Sequence, residues 1–105
     1  TNLTFLSEAR SLKMSGPLSI MFFTYILKST KADKTYVGFC NNIEVRLQKH
    51  NSGQVESTKC FMPWEIIYLE KYQTGREAKY REKYWKSGAG RRKLKQYFEK
   101  NEPLA

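Results

Sequence analysis

The chain has 105 residues, 40% of them hydrophobic and 28% charged, which fits one domain with a modest core and excludes both a two-domain protein and a disordered segment. Nineteen Lys and Arg against ten Asp and Glu leave a formal charge of +9, an excess that favours a polyanion, most commonly a nucleic acid, through counterion release. No run approaches the roughly 18 consecutive apolar residues of a spanning helix, which disfavours a membrane partner. Cys40 and Cys60, even with the single His50, match neither a disulfide scaffold nor a zinc spacing, as expected of a reduced, cytoplasmic protein.

Residues 1–20 carry Glu8, Arg10 and Lys13 and lack the apolar core of a signal peptide. With the Ser15-Gly16-Pro17 cluster they read as an appendage or linker before a domain at residues 21–100 and a short tail at 101–105. Residues 22–27 (FFTYIL) and 35–39 (TYVGF) are aromatic and β-branched, the pattern of two strands joined by a polar loop. Asn41 with Glu44 three positions on predicts a capped helix running to about His50, stopped by Asn51-Ser52-Gly53. A third strand is expected at residues 64–69 (WEIIYL). Thr74 with Glu77 predicts a second capped helix ending near Ser87-Gly88. A last helix is expected after Gly88-Ala89-Gly90, burying Leu94, Tyr97 and Phe98 at i, i+3, i+4 spacing. The order β-β-α-β-α-α describes an α+β domain.

Two helices carry polar residues where packing residues belong. At about 100° per residue, Ile43, Arg46, Leu47 and His50 share one arc of the first helix. An ion-paired arginine and a hydrogen-bonded core histidine would explain them structurally; a phosphate-directed pair would explain them functionally. On the second helix Ala78, Arg81, Glu82 and Trp85 share an arc. Glu82 is either a salt-bridge partner of Lys79, Lys83 or Lys86, or a hard oxygen ligand for a divalent cation. Residues 71–100 hold eleven Lys or Arg against three Glu, a bias that marks Arg91, Arg92 and Lys93 as candidates for backbone contact with nucleic acid.

These pieces resemble the GIY-YIG nucleases. Phe23-Thr24-Tyr25 is similar to the first half-motif, with the tyrosine kept, and Tyr36-Val37-Gly38 to the second. Residues 41–53 resemble the family's first helix, residues 57–72 the third-strand region of the short single-domain bacterial members, and residues 81–94 their glutamate-bearing helix. The similarity spans about residues 22–98. Phe23 replaces the first glycine, and Phe39 stands where the nuclease module of the excision-repair incision protein has a lysine.

The resemblance implies a three-stranded antiparallel sheet flanked by helices, and a metal-dependent endonuclease acting on DNA, with RNA not excluded. In that scheme Glu82 holds Mg²⁺ or Mn²⁺, Tyr25 takes a proton from the attacking water with His50 as its acceptor, Tyr36 hydrogen-bonds within the cluster, and Arg46 clamps the phosphate. Lys59 is a further backbone contact. The alternatives are a catalytically silent nucleic-acid-binding module and a domain that docks on a repair or recombination partner.

Overall fold

The computed structural model describes residues 21–104; the expected appendage at 1–20 lies outside the described residues. Strands β1 (Phe22–Ser29), β2 (Thr35–Cys40) and β3 (Trp64–Tyr72) and helices α1 (Ile43–Asn51), α2 (Gly75–Lys86) and α3 (Gly88–Lys100) follow in the expected order. The sheet is antiparallel with order β2-β1-β3. β1 is therefore central and covered on both faces, which is why its sequence is a continuous apolar run rather than an alternating one.

The pleat sends the residues of β1 into two cores. Phe23, Tyr25 and Leu27 pack with Ile43 of α1 and with Trp64, Ile66 and Leu69 of β3. Ile26 packs on the other side with Val37, Ile67, Trp85, Leu94 and Leu104. A bulge at Ile26/Leu27 in the pairing with β3 shifts the alternation by one residue, so Ile66 and Leu69, three apart, face the first core while Ile67 faces the second. Thr24, buried among the second set, is satisfied by donating to the Ala78 carbonyl at 2.7 Å.

Four local expectations are corrected. The cap of α1 is Asn42, not Asn41: its side chain accepts from the Val45 N–H at 3.2 Å, and two adjacent asparagines give sequence rules no means to choose. β3 runs three residues beyond Leu69, because Glu70 and Tyr72 still pair with Thr24 and Phe22, and Glu70 meets a bidentate Arg81 there at 2.9 and 3.1 Å. α3 begins at Gly88, with Ser87 ending α2 and capping α3. Gly90 serves helix packing, since a Cβ there would lie 2.5 Å from Trp85 Cα and closer still to the Tyr84 carbonyl oxygen. Of the expected buried face of α3, Leu94 is buried but Phe98 is 42% exposed; Leu104, from the expected tail, supplies apolar cover instead.

Candidate nuclease site

Helix α1 lays its apolar arc on the sheet, and the two polar members of that arc meet the central strand. Arg46 Nε donates to Tyr25 Oη at 3.2 Å. His50 Nε2 lies 2.9 Å from the same oxygen, and its Nδ1 lies 2.8 Å from Thr58 Oγ1. The Thr58 hydroxyl also faces the Val55 carbonyl at 3.4 Å. One proton arrangement closes this chain: Thr58 donates to Val55, His50 Nδ1–H donates to Thr58, and the free Nε2 lone pair accepts the Tyr25 O–H.

The loop carrying Thr58 is tied down twice. Asn51, at the end of α1, accepts from the Trp64 N–H at 2.6 Å and donates to the Trp64 carbonyl at 3.0 Å. The Trp64 indole donates to the Thr58 carbonyl at 2.9 Å. Thr58 is a site residue that sequence reasoning missed. It sits in a polar loop, and nothing in its spacing distinguishes it from its exposed neighbours Ser57 and Lys59.

Tyr36 completes the cluster from β2, its ring 4.8 Å from the His50 ring and 6.3 Å from the Tyr25 ring. Both phenols border the Arg46 guanidinium. The tyrosines differ in access: Tyr25 is 1% exposed, whereas Tyr36 is half-buried. Gly38, paired with Tyr25 across the sheet, leaves the space that the Tyr25 ring occupies; a Cβ there would fall 2.5 Å from Oη and 2.7 Å from Cζ. Gly38→Ala is expected to displace the ring and cost about 1–3 kcal/mol, read as a lowered melting temperature. An unchanged melting temperature would mean that the ring does not need this space.

Burial sets the charges. It pushes the Tyr25 phenol well above its ordinary range, against the opposing pull of Arg46. It lowers His50 to about 4, with the Arg46 charge adding to the effect, so the imidazole is neutral at pH 7. It raises the Cys40 thiol to about 11, which removes that group as a nucleophile. Arg46 is thus the one permanent charge in the network. Because the folded pKa of His50 lies below its unfolded value, the unfolded chain binds the extra proton between about pH 6.5 and 4. Stability from this source is complete above that window and is lost as pH falls through it, by up to about 3 kcal/mol. His50 is the only histidine, so urea midpoints measured across pH 7 to 4 should show this slope in the wild type and lose it in His50→Gln. Parallel curves would contradict a neutral buried imidazole.

The other expected site residues lie apart from this cluster. Glu82 bonds Lys86 at 3.2 Å, its side chain only 18% exposed. Lys59 pairs with Glu56 at 2.9 Å on the surface. Arg91, Arg92 and Lys93 are exposed in the first turns of α3. Lys86 and Arg91 also line a hollow of about 260 Å³ with Thr35, Tyr36, Val37, Trp85 and Leu94, so Glu82 is one side-chain contact away from the wall that Tyr36 forms. Among the described residues no three His, Cys, Asp or Glu side chains converge. A divalent cation that retains water and takes phosphate oxygens needs only one carboxylate from the protein, and Glu82, mostly shielded and drawn to a cation already, fits that donor set.

The geometry can be set beside known proteins. The GIY-YIG catalytic domain matches residues 21–101. The chain belongs to the GIY-YIG family. It is 37% identical over 75 residues to a UPF0213 protein of Clostridium perfringens, covering 70% of this chain and 80% of that one. It is 35% identical over 74 residues to a UPF0213 protein of Staphylococcus aureus, covering 70% and 89%. No solved structure matches it. As a GIY-YIG domain the chain has an endonuclease-type function and a nucleic-acid substrate, in a family whose members generally use divalent metals. Among the described residues no helix is long and apolar enough to cross a membrane.

Proposed function

We propose that this GIY-YIG protein is a divalent-metal-dependent endonuclease that hydrolyses phosphodiester bonds in DNA, acting on branched or interrupted substrates in repair or recombination. The observation that carries this reading is the hydrogen-bond chain Thr58–His50–Tyr25–Arg46. A network that is neutral except for one guanidinium at its outer end is suited to fixing that guanidinium against a phosphate.

The roles divide by exposure. Tyr25, buried and with its oxygen engaged by both His50 and Arg46, positions Arg46; a phenolate there is opposed by desolvation. Tyr36, reachable from solvent, is the phenol that meets the attacking water. This differs from the resemblance taken alone, in which Tyr25 accepts the proton and passes it to His50. Glu82 would hold Mg²⁺ or Mn²⁺, which when bound polarises the phosphate and neutralises charge on the leaving oxygen.

Two conservative variants separate the tyrosines. Tyr36→Phe is expected to lower the cleavage rate by about 10²-fold or more, as loss of the hydroxyl that positions the attacking water does, with no change in melting temperature. Tyr25→Phe leaves His50 Nε2 and Arg46 Nε without their partner, so it should destabilise the fold by about 1–3 kcal/mol as well as slow cleavage. A destabilised Tyr36→Phe beside an unaffected Tyr25→Phe would reverse the assignment.

The function itself is tested by incubating labelled single-stranded, duplex, flap and branched DNA, and matching RNA, with the protein in Mg²⁺, Mn²⁺ or EDTA. Cleavage of DNA that EDTA abolishes is expected. Tight binding without cleavage of any substrate would assign the domain as a silent nucleic-acid-binding module.

A further inference from the structure

β2 is an edge strand, hydrogen-bonded to β1 alone in the sheet. Around its outer side lies the hollow of about 260 Å³ between Thr35, Tyr36 and Val37 of β2, the C-terminal end of α2 and the start of α3. It is open to solvent and large against the roughly 30 Å³ that a water molecule occupies in the liquid, so a hydrated anion fits. Its charged walls are Lys86 and Arg91. A second hollow continues it outward past Arg91 to Lys95 and Asp33.

Arg91 and Lys95 are four apart on α3 and stand on one face. Arg92 and Lys93, which the charge run alone ranks equally with Arg91, are rotated by about 100° and 200° from it. The cations on this side of α3 therefore form a line that ends at Tyr36. Asp33 at the outer end opposes an anion there, which leaves the inner end, between Lys86 and Arg91, as the favourable position.

Trp85 stands in the wall of the inner hollow. Its indole N–H is the one buried side-chain donor without a partner among the described residues, although the residue is 1% exposed. Such a donor is unfavourable for as long as it lacks an acceptor. The other indole, that of Trp64, is satisfied by the Thr58 carbonyl. Because Trp85 lines the hollow, an anion held there changes the surroundings of this indole and not those of Trp64.

We propose that this hollow at the free edge of β2, walled by Lys86 and Arg91 with Trp85 behind them, binds a backbone phosphate of the nucleic-acid strand flanking the bond that is cut. The inference rests on the nuclease reading and extends it by giving the strand a path, from Arg46 and Tyr36 round the sheet edge to α3. It also assigns Lys86 two acceptors, the Glu82 carboxylate in the free protein and phosphate in the complex.

The test uses the full chain without divalent metal, so that binding is read apart from cleavage. Two double variants remove the same charge from the same helix: Arg91→Ala with Lys95→Ala, in the groove, and Arg92→Ala with Lys93→Ala, outside it. Affinity for a labelled forked DNA is measured by anisotropy over a range of salt. The groove pair is expected to lose at least about tenfold more affinity and to flatten the salt dependence further, as lost phosphate contacts do.

In parallel, the two indole N–H signals are followed by NMR while a short oligodeoxynucleotide, or inorganic phosphate alone, is added. The Trp85 signal should move and the Trp64 signal should stay. Movement with the oligonucleotide but not with inorganic phosphate at equal concentration identifies a site for a strand rather than for the free ion; the reverse, or a stationary Trp85 signal, overturns the proposal. Equal losses in the two double variants would overturn it while leaving the nuclease reading intact. If the wild-type protein neither binds nor cuts nucleic acid, both fall.

Discussion

Arg46→Lys is expected to slow DNA cleavage by about 10²–10³-fold while leaving the melting temperature and the dissociation constant for uncut DNA close to wild type. The reason lies in the fork of the guanidinium. Its Nε–H is committed to Tyr25 Oη, and a planar group fixed at that nitrogen aims its two terminal nitrogens without further ordering. Lysine has a single donor centre on a flexible stem. It can sit at the Tyr25 oxygen or reach the phosphate, but not hold one while presenting a fork to the other. Net charge is unchanged, so long-range attraction of DNA, and with it most of the binding, should persist. A loss confined to turnover marks an interaction that strengthens in the transition state. Wild-type turnover by the lysine variant would reduce Arg46 to a generic positive charge.

Most of the fold was legible because its signals are local. The continuous apolar run at Phe22 to Leu27, the Thr74/Glu77 box, whose Glu77 N–H does bond Thr74 at 3.2 Å, and the arcs on α1 and α2 each follow from the chain near them. What escaped depends on contacts distant in sequence. β3 reaches Tyr72 by pairing with Thr24 and Phe22 of β1, and there the Glu70 carboxylate finds Arg81, eleven residues away on another element. Gly90 reads as a helix breaker until the backbone of Trp85 is seen against it. Phe98 has the correct helical phase to be buried, yet it is exposed and Leu104 joins the second core.

The site shows the same division. The helical phase of Arg46 and His50 made them candidates, and the half-motif spacing supplied Tyr25 and Tyr36. Thr58 carries no local mark; it is defined by Asn51 and Trp64 closing a loop over α1. Nor could sequence decide which tyrosine is reachable. Tyr25 and Tyr36 occupy equivalent places in two similar half-motifs, and only the central position of β1 buries the first more deeply than the second.

The choice between Lys86 and a metal ion at Glu82 leads to the largest expected effect. Glu82→Gln preserves the size of the side chain and its hydrogen bonding but removes the negative charge that a hard divalent cation requires, so cleavage in Mg²⁺ should fall by about 10³-fold or more if the cation supplies several kcal/mol of charge stabilisation. If Glu82 serves only its i,i+4 pair with Lys86, the same substitution loses a surface contact of about 0–1 kcal/mol and leaves turnover almost unchanged. Glu77→Gln is the control, an equal change of charge on the same helix at a residue that bonds its own cap. DNA affinity without metal should hold or tighten in the Glu82 variant, since one negative charge leaves a basic surface. Raising Mn²⁺ should recover part of the activity if weakened metal binding is the cause, and calorimetric titration of Mn²⁺ into protein and uncut DNA should show a raised dissociation constant for the variant and not for Glu77→Gln. Equal rates for wild type and Glu82→Gln across the Mn²⁺ range would remove Glu82 from the site and return it to its pairing with Lys86.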